Sequence, residues 1–265
     1  MDPFEEMKAK AKESWAAFVP MEMLTGTAAP KLVRFAGVRA GARVLDVACG
    51  TGVVALTAAR LGAHVTGLDL TPPLLERAKQ HATLLGVETE FTEGDVEAMP
   101  FPGASFDFVL SQFGHMFAPR PTVAVSEMLR VLKPGGTIAF STWPPELYTG
   151  QFLALMARFA PPPSSEGAAP PPLWGNPEVV RERLGDAVRD LVFDRDRIRV
   201  PILSPQHLWA AMSGGVGPGA NAVKALEGRP ERIQELGREV IALSSTYFED
   251  NAIRQDFLMT RAIKR

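Results

Sequence analysis

Residues Val44 to Gly52 read VLDVACGTG, and Asp69 follows seventeen positions after Gly52, closing the run His64-Val-Thr-Gly-Leu-Asp69. An apolar stretch with a carboxylate near its end turns through glycines into a helical pattern, and a second apolar stretch ends in another carboxylate. Two parallel strands joined through one helix satisfy that order. Gly50 and Gly52 remove Cβ where a ligand can approach the main chain, and a helix opening near Thr51 offers unpaired N–H groups to it. The feature thus points to an open α/β sheet with a nucleoside-type site at its first turn.

The same rhythm continues. A strand over 43–47 and a helix over about 52–61 lead to a strand over 64–68, then Thr71 as N-cap with Pro72 at the first helical position. That helix turns Leu75, Ala78, Ala82 and Leu85 inward and stops at Gly86. Val87, Thr89 and Phe91 alternate as a third strand, and Phe106 to Phe113 supplies a fourth. Val125, Met128, Leu129 and Leu132 mark a helix face, and Lys133-Pro-Gly-Gly136 launches a fifth strand, Thr137 to Thr142. Strands alternating with helices at this pace predict parallel pairing and right-handed crossovers.

Regularity ends after Trp143. The triplets Pro161–Pro163 and Pro170–Pro172 disfavour both continuous helix and central strand. The reading is therefore one domain in three parts: an N-terminal helical cap over 1–40, a core over 41–143, and a C-terminal part over 144–265 with a lid insertion at about 144–185. Within the last part, Leu191 to Val200 reads as a strand, Gln206 to Met212 as a short helix, Ala220 to Leu243 as one helix, and Phe257 to Ile263 as a final strand. At the other end, Phe4, Met7, Ala11, Trp15 and Phe18 recur at helical spacing. That amphipathic helix either packs on the body or covers the cleft, with Trp15 and Phe18 as candidate substrate contacts.

Composition narrows the class. Of 265 residues, 46% are apolar and 22% charged, as in an ordinary globular chain, and a net charge of −2 gives no broad footprint for nucleic acid. The single cysteine, Cys49, excludes an intrachain disulfide and a cysteine-built zinc cage, and no metal site is expected. No stretch approaches the roughly eighteen apolar residues of a membrane span, and the N-terminus lacks signal-peptide features, so the expected address is the cytoplasm.

Two nucleoside cofactors compete for the turn. Gly50-Thr-Gly52-Val-Val-Ala55 fits the dinucleotide fingerprint with Asp69 as ribose acceptor, which suits an NAD(P)-dependent oxidoreductase. S-adenosylmethionine needs the same ribose acceptor but has no pyrophosphate, and it carries an ammonium and a sulfonium. Asp46, at the tip of the first strand, suits cationic groups and sits poorly beside a pyrophosphate. Gly94-Asp-Val-Glu97 follows the third strand, where a carboxylate can accept from an adenine amino group, and Ser111-Gln112 closes the fourth.

On these runs the chain resembles class I S-adenosylmethionine-dependent methyltransferases, including the ubiquinone and menaquinone biosynthesis enzymes and the type 11 methyltransferase domain. The matching segments are Val44 to Gly52, Gly67-Leu-Asp69, Gly94 to Phe101, Ser105-Phe-Asp-Phe-Val109 and Leu129 to Gly136, with Ala48 standing where a glycine is common. The resemblance implies a doubly wound, Rossmann-like, seven-stranded and mostly parallel sheet with an antiparallel last strand, an N-terminal helix and an inserted helical, proline-rich lid. It implies S-adenosylmethionine as donor and S-adenosylhomocysteine as product. Asp46, Ala48, Cys49, Gly50 and Gly52 would border the methionine moiety, with Cys49 itself a packing residue. Asp69 would bind the ribose, Leu70 would flank adenine, Asp95, Val96 and Glu97 would line its polar edge, and Ser111 with Gln112 would face the sulfonium.

Methyl transfer asks the protein mainly for proximity and orientation, with a base only when the acceptor is neutral. His115, just past the fourth strand, is the first candidate base, and Tyr148, read as an exposed loop phenol, is the second. Met116, Trp143 and Trp174 would line an apolar pocket for a small or medium organic acceptor. A cofactor-binding protein without transferase activity is the reading from another functional class.

Overall fold

The computed structural model describes residues 3–16, 22–161, 168–215 and 218–265; Phe18 lies outside them. Three helices open the chain, α1 (Pro3–Ala16), α2 (Glu22–Gly26) and α3 (Ala29–Ala36). Strand and helix then alternate: β1 (Arg43–Val47), α4 (Val53–Ala59), β2 (His64–Asp69), α5 (Pro72–Leu85), β3 (Glu90–Glu93), β4 (Phe106–Gln112), α6 (Pro121–Val131) and β5 (Leu132–Thr142). The remainder comprises α7 (Tyr148–Phe159), α8 (Pro177–Leu184), β6 (Val188–Pro201), α9 (Pro205–Gly214), α10 (Pro218–Ala225), α11 (Pro230–Thr246), the two-residue β7 (Phe248–Glu249) and β8 (Ala252–Lys264).

Seven long strands lie in the order β3-β2-β1-β4-β5-β8-β6. Pairing is parallel from β3 through β5, with Asp46 beside Gly67 and Leu110 beside Asp46. The last long strand, β8, runs antiparallel between β5 and β6. Alternation of side chains sorts the core onto the two faces. Val44, Leu110 and Ala139 meet Leu32 of α3 and Val54 of α4, whereas Leu45, Val109 and Phe140 meet Met128 of α6 and Val180 of α8. Strand order reverses between β1 and β4, so a crevice opens where their carboxyl ends diverge.

The C-terminal part builds a second, helical cap, and this cap differs from the reading of one lid segment at about 144–185. Phe152, Leu155, Met156 and Phe159 of α7 share a separate core with Ala222 and Leu226, at the end of α10, and with Leu236 and Val240 of α11. Half of the cap therefore comes from 205–246, between β6 and β8. The single helix expected over 220–243 is two helices, because Gly228 takes φ of +80° and Pro230 sits at the first position of α11. Among the described residues, no helix is long and apolar enough to cross a membrane.

Candidate functional site

The turn after β1 is built on two buried carboxylates. Asp46 Oδ2 accepts the N–H of Ala55 at 2.9 Å and so caps α4 from nine residues upstream, while its Oδ1 is buried without a partner among the described residues. Burial, with the Asp69 charge adding to it, pushes the Asp46 carboxyl up to about 8. Asp69 Oδ2 accepts from Gly50 N and its Oδ1 from Thr71 N, each at 2.8 Å, so the tip of β2 is pinned to the glycine turn. Burial raises the Asp69 pKa and the N–H bonds resist the rise. Cys49 is enclosed against Gly67, where a Cβ would approach its Sγ to 2.9 Å, and burial raises its thiol pKa.

The residues expected at the cofactor divide into two layers. Asp46, Cys49, Gly52, Asp69, Glu97 and Ser111 are buried; Ala48, Gly50, Leu70, Asp95, Val96 and Gln112 remain half-exposed around them. Gly50 holds φ of +55°, and a Cβ built there would meet nothing within 4 Å. Ser111 Oγ donates to the carbonyl of Val47 at 2.7 Å and accepts from His115 N at 3.2 Å, tying β4 to β1. Gln112 Nε2 donates to the carbonyl of Thr25 at 2.9 Å, and its Oε1 is a buried acceptor without a partner among the described residues. A turn with open space before its main chain, acids at the ends of β2 and after β3, and an unused amide oxygen suit a cationic nucleoside donor. The residues present therefore fit S-adenosylmethionine.

Helix α1 lies across this edge. Lys8 Nζ donates to Asp95 Oδ2 and Glu97 Oε2, both at 2.5 Å, and Lys12 pairs with Glu93. Arg120 adds to the buried Glu97 through its main-chain N at 2.6 Å and its Nε at 2.9 Å, and its guanidinium lies 5.2 Å from the Phe4 ring. Trp15 meets Phe117 edge-on at 4.8 Å. Lys8 and Arg120 were not among the residues expected here. Their only trace in the sequence is a pair of lysines one helical turn apart and alternate acids at 93, 95 and 97.

The candidate bases are enclosed. His115 has no exposed surface; its ring sits 4.6 Å from Phe140 and 4.7 Å from Trp174, and neither nitrogen has a partner among the described residues. Burial, helped by the Arg183 charge, lowers its pKa to about 3, so the imidazole is neutral and weakly basic. Tyr148 is not an exposed loop phenol: it opens α7, is buried, and places its hydroxyl 3.2 Å from Ser244 Oγ. Burial raises its pKa against that bond. Met116, Trp143 and Trp174 are core residues, with Trp143 stacked on Phe113 at 3.9 Å. An open cavity of about 710 Å³ does occur between the end of α1 and the cap, lined by Glu13, Ser14, Ser213, Asn221, Lys224 and Glu227 among others. Its lining mixes polar and apolar residues, and none of the described residues that line it comes from the strand ends.

Residues 45–140 match the family described as a methyltransferase domain. An uncharacterized protein of Mycobacterium tuberculosis H37Rv is 35% identical over 270 residues, spanning 99% of this chain and 98% of that one. The demethylmenaquinone methyltransferase of Thermus thermophilus is 40% identical over 109 residues, 40% of this chain and 50% of the other. A Bacillus halodurans protein crystallized as a candidate methyltransferase superposes with a TM-score of 0.62 at 21% identity, over 90% of this chain and 99% of that one. At that identity the superposition speaks for the fold alone.

Proposed function

The chain belongs to the methyltransferase-domain family, and from that premise we propose that it transfers a methyl group from S-adenosylmethionine to a small organic acceptor. The observation that carries the reading is the open face of Gly50 at the switch point, flanked by the acids of β2 and of the segment after β3. The donor supplies a methyl carbon already activated by its sulfonium, so the chain's share of the chemistry is binding, orientation and exclusion of water. The turn from Ala48 to Gly52 would hold the amino-acid end, Asp69 the ribose, and Leu70, Asp95 and Val96 the adenine. Gln112 would turn its free amide oxygen toward the cationic end.

His115 and Tyr148 are both enclosed, so neither stands ready to take a proton from an acceptor. The reading therefore favours an acceptor that arrives nucleophilic, such as a thiolate, an ionised phenol or an enolate-like carbon. The Thermus enzyme acts, by its name, on demethylmenaquinone, but its match spans only 40% of this chain, whereas that of the mycobacterial relative spans 99%.

Calorimetric titration with S-adenosylhomocysteine and with NADPH tests the donor. Binding of the first alone supports the reading, and binding of the second alone overturns it in favour of an oxidoreductase. Incorporation of labelled methyl across an acceptor panel then tests transfer; tight donor binding with no product from any acceptor would favour a protein that binds the donor without using it.

A further inference from the structure

We infer that Lys8 is a positioning residue of the donor site: through it, α1 forms the outer wall of the adenine end and fixes the Asp95 carboxylate that reads the adenine amino group. This rests on the donor reading above. Two observations carry it. Asp95 is held at both oxygens, Oδ1 by the N–H of Glu97 at 2.8 Å and Oδ2 by Lys8 at 2.5 Å, so its rotamer is set by a residue 87 positions away. The same ammonium neutralises Glu97, whose side chain is wholly buried and is otherwise matched by Arg120.

The fit extends along the helix. Positions 8 and 12 are one helical turn apart, about 6 Å along the axis, and alternate residues of extended chain are about 6.6 Å apart. Lys12 on Glu93 and Lys8 on Asp95 and Glu97 follow that match. Burial works against the charged form of Lys8, but the bonds to Asp95 and Glu97 outweigh it and its pKa is raised, so the ammonium persists at neutral pH. Each carboxylate oxygen keeps a second lone-pair direction, so Asp95 still has capacity for one more donor. An adenine amino group supplies that donor. Hypoxanthine, with an oxo group in its place, does not.

The test uses the full chain and two probes, S-adenosylhomocysteine and its S-inosyl analogue. Lys8→Met keeps the apolar stem and removes the charge. It should raise the dissociation constant for S-adenosylhomocysteine about tenfold while changing that for the inosyl analogue less than about threefold, collapsing the preference of the wild type for adenine. Lys8→Arg should restore most of the preference. Lys12→Met, which breaks only the more exposed pair with Glu93, should change both constants less than about twofold. Equal weakening of both probes by Lys8→Met would reduce Lys8 to a structural tie, and unchanged or tighter adenosyl binding would overturn the latch altogether. Should Lys8→Met not fold, an Arg variant that binds both probes alike would carry the same refutation. Failure of the wild type to bind S-adenosylhomocysteine would instead refute the donor reading.

Discussion

Gly50→Ala and Gly114→Ala add the same methyl group to neighbouring parts of the crevice and should fail in opposite ways. At Gly50 the backbone is left-handed, which costs an alanine about 1–2 kcal/mol, while reduced freedom of the unfolded chain returns about 0.4–1 kcal/mol. With no atom within 4 Å of the new Cβ there is no packing penalty, so the net loss of stability is about 1 kcal/mol. The methyl would, however, project into the space proposed above for the donor, and overlap of about 1–3 kcal/mol should weaken S-adenosylhomocysteine binding about 10- to 100-fold. At Gly114 the backbone is ordinary, with φ of −92°, but a Cβ would stand 2.6 Å from Ala48 Cβ and 2.7 Å from the Ala48 carbonyl oxygen. Main chain must move, at about 2–3 kcal/mol. Urea unfolding of the donor-free protein and calorimetry with S-adenosylhomocysteine separate the two effects. If Gly50→Ala loses more stability than Gly114→Ala, or binds the donor analogue as the wild type does, the open face of Gly50 is not where the donor lies.

Three further outcomes follow from the buried groups. Asp46 keeps its proton to about pH 8 when folded against a reference of 3.8, so folding stability falls as pH rises through that window; Asp46→Asn should flatten the slope in pH-dependent urea unfolding, leaving the contribution of the same sign from Asp69. His115 stays neutral to about pH 3 against a reference of 6.5, so its share of stability is lost as pH falls below 6.5; His115→Phe should abolish that loss and raise stability at pH 7 by about 1 kcal/mol, and a collapse of turnover in a folded variant would restore it as a base. Ala48→Gly relieves a left-handed φ of +52° and should raise the thermal midpoint by the equivalent of about 0.5–1 kcal/mol; a lower midpoint would show that the Ala48 methyl, packed against Gly114, contributes more than its strain removes.

The core from 43 to 142 was legible because its signals are local: a glycine turn within nine residues, Pro72 at the first turn of α5, and Gly86 at its end. What the pattern conceals is how a carboxylate is used. Asp46 and Asp69 have the residue type and spacing of ligand-binding acids, yet three of their four oxygens accept main-chain N–H groups, from Ala55, Gly50 and Thr71. His115 sits at the right strand end for catalysis, but the residues that enclose it lie 25 and 59 positions on, at Phe140 and Trp174. The cap is harder still. Its core joins 152–159 to 222–240, and two amphipathic segments separated by a strand do not announce that they pack together.

The edge of the crevice carries strained backbone. Ala48, past the end of β1, and Phe113, past the end of β4, both take left-handed backbone angles, φ +52° and +61°, in residues that disfavour them. Both deviations fall where strand order reverses, and Gly114 brings the two turns into contact. For a bulky residue such as Phe113 the cost is about 1–2 kcal/mol. Its ring is stacked on Trp143 and set edge-on to Phe257 at 5.4 Å, contacts worth about 0.5–1.5 kcal/mol each beyond burial, which offset that cost. The aromatic cluster around Trp143 thus holds the chain just past β4 in its left-handed conformation, beside the turn that carries Gly50.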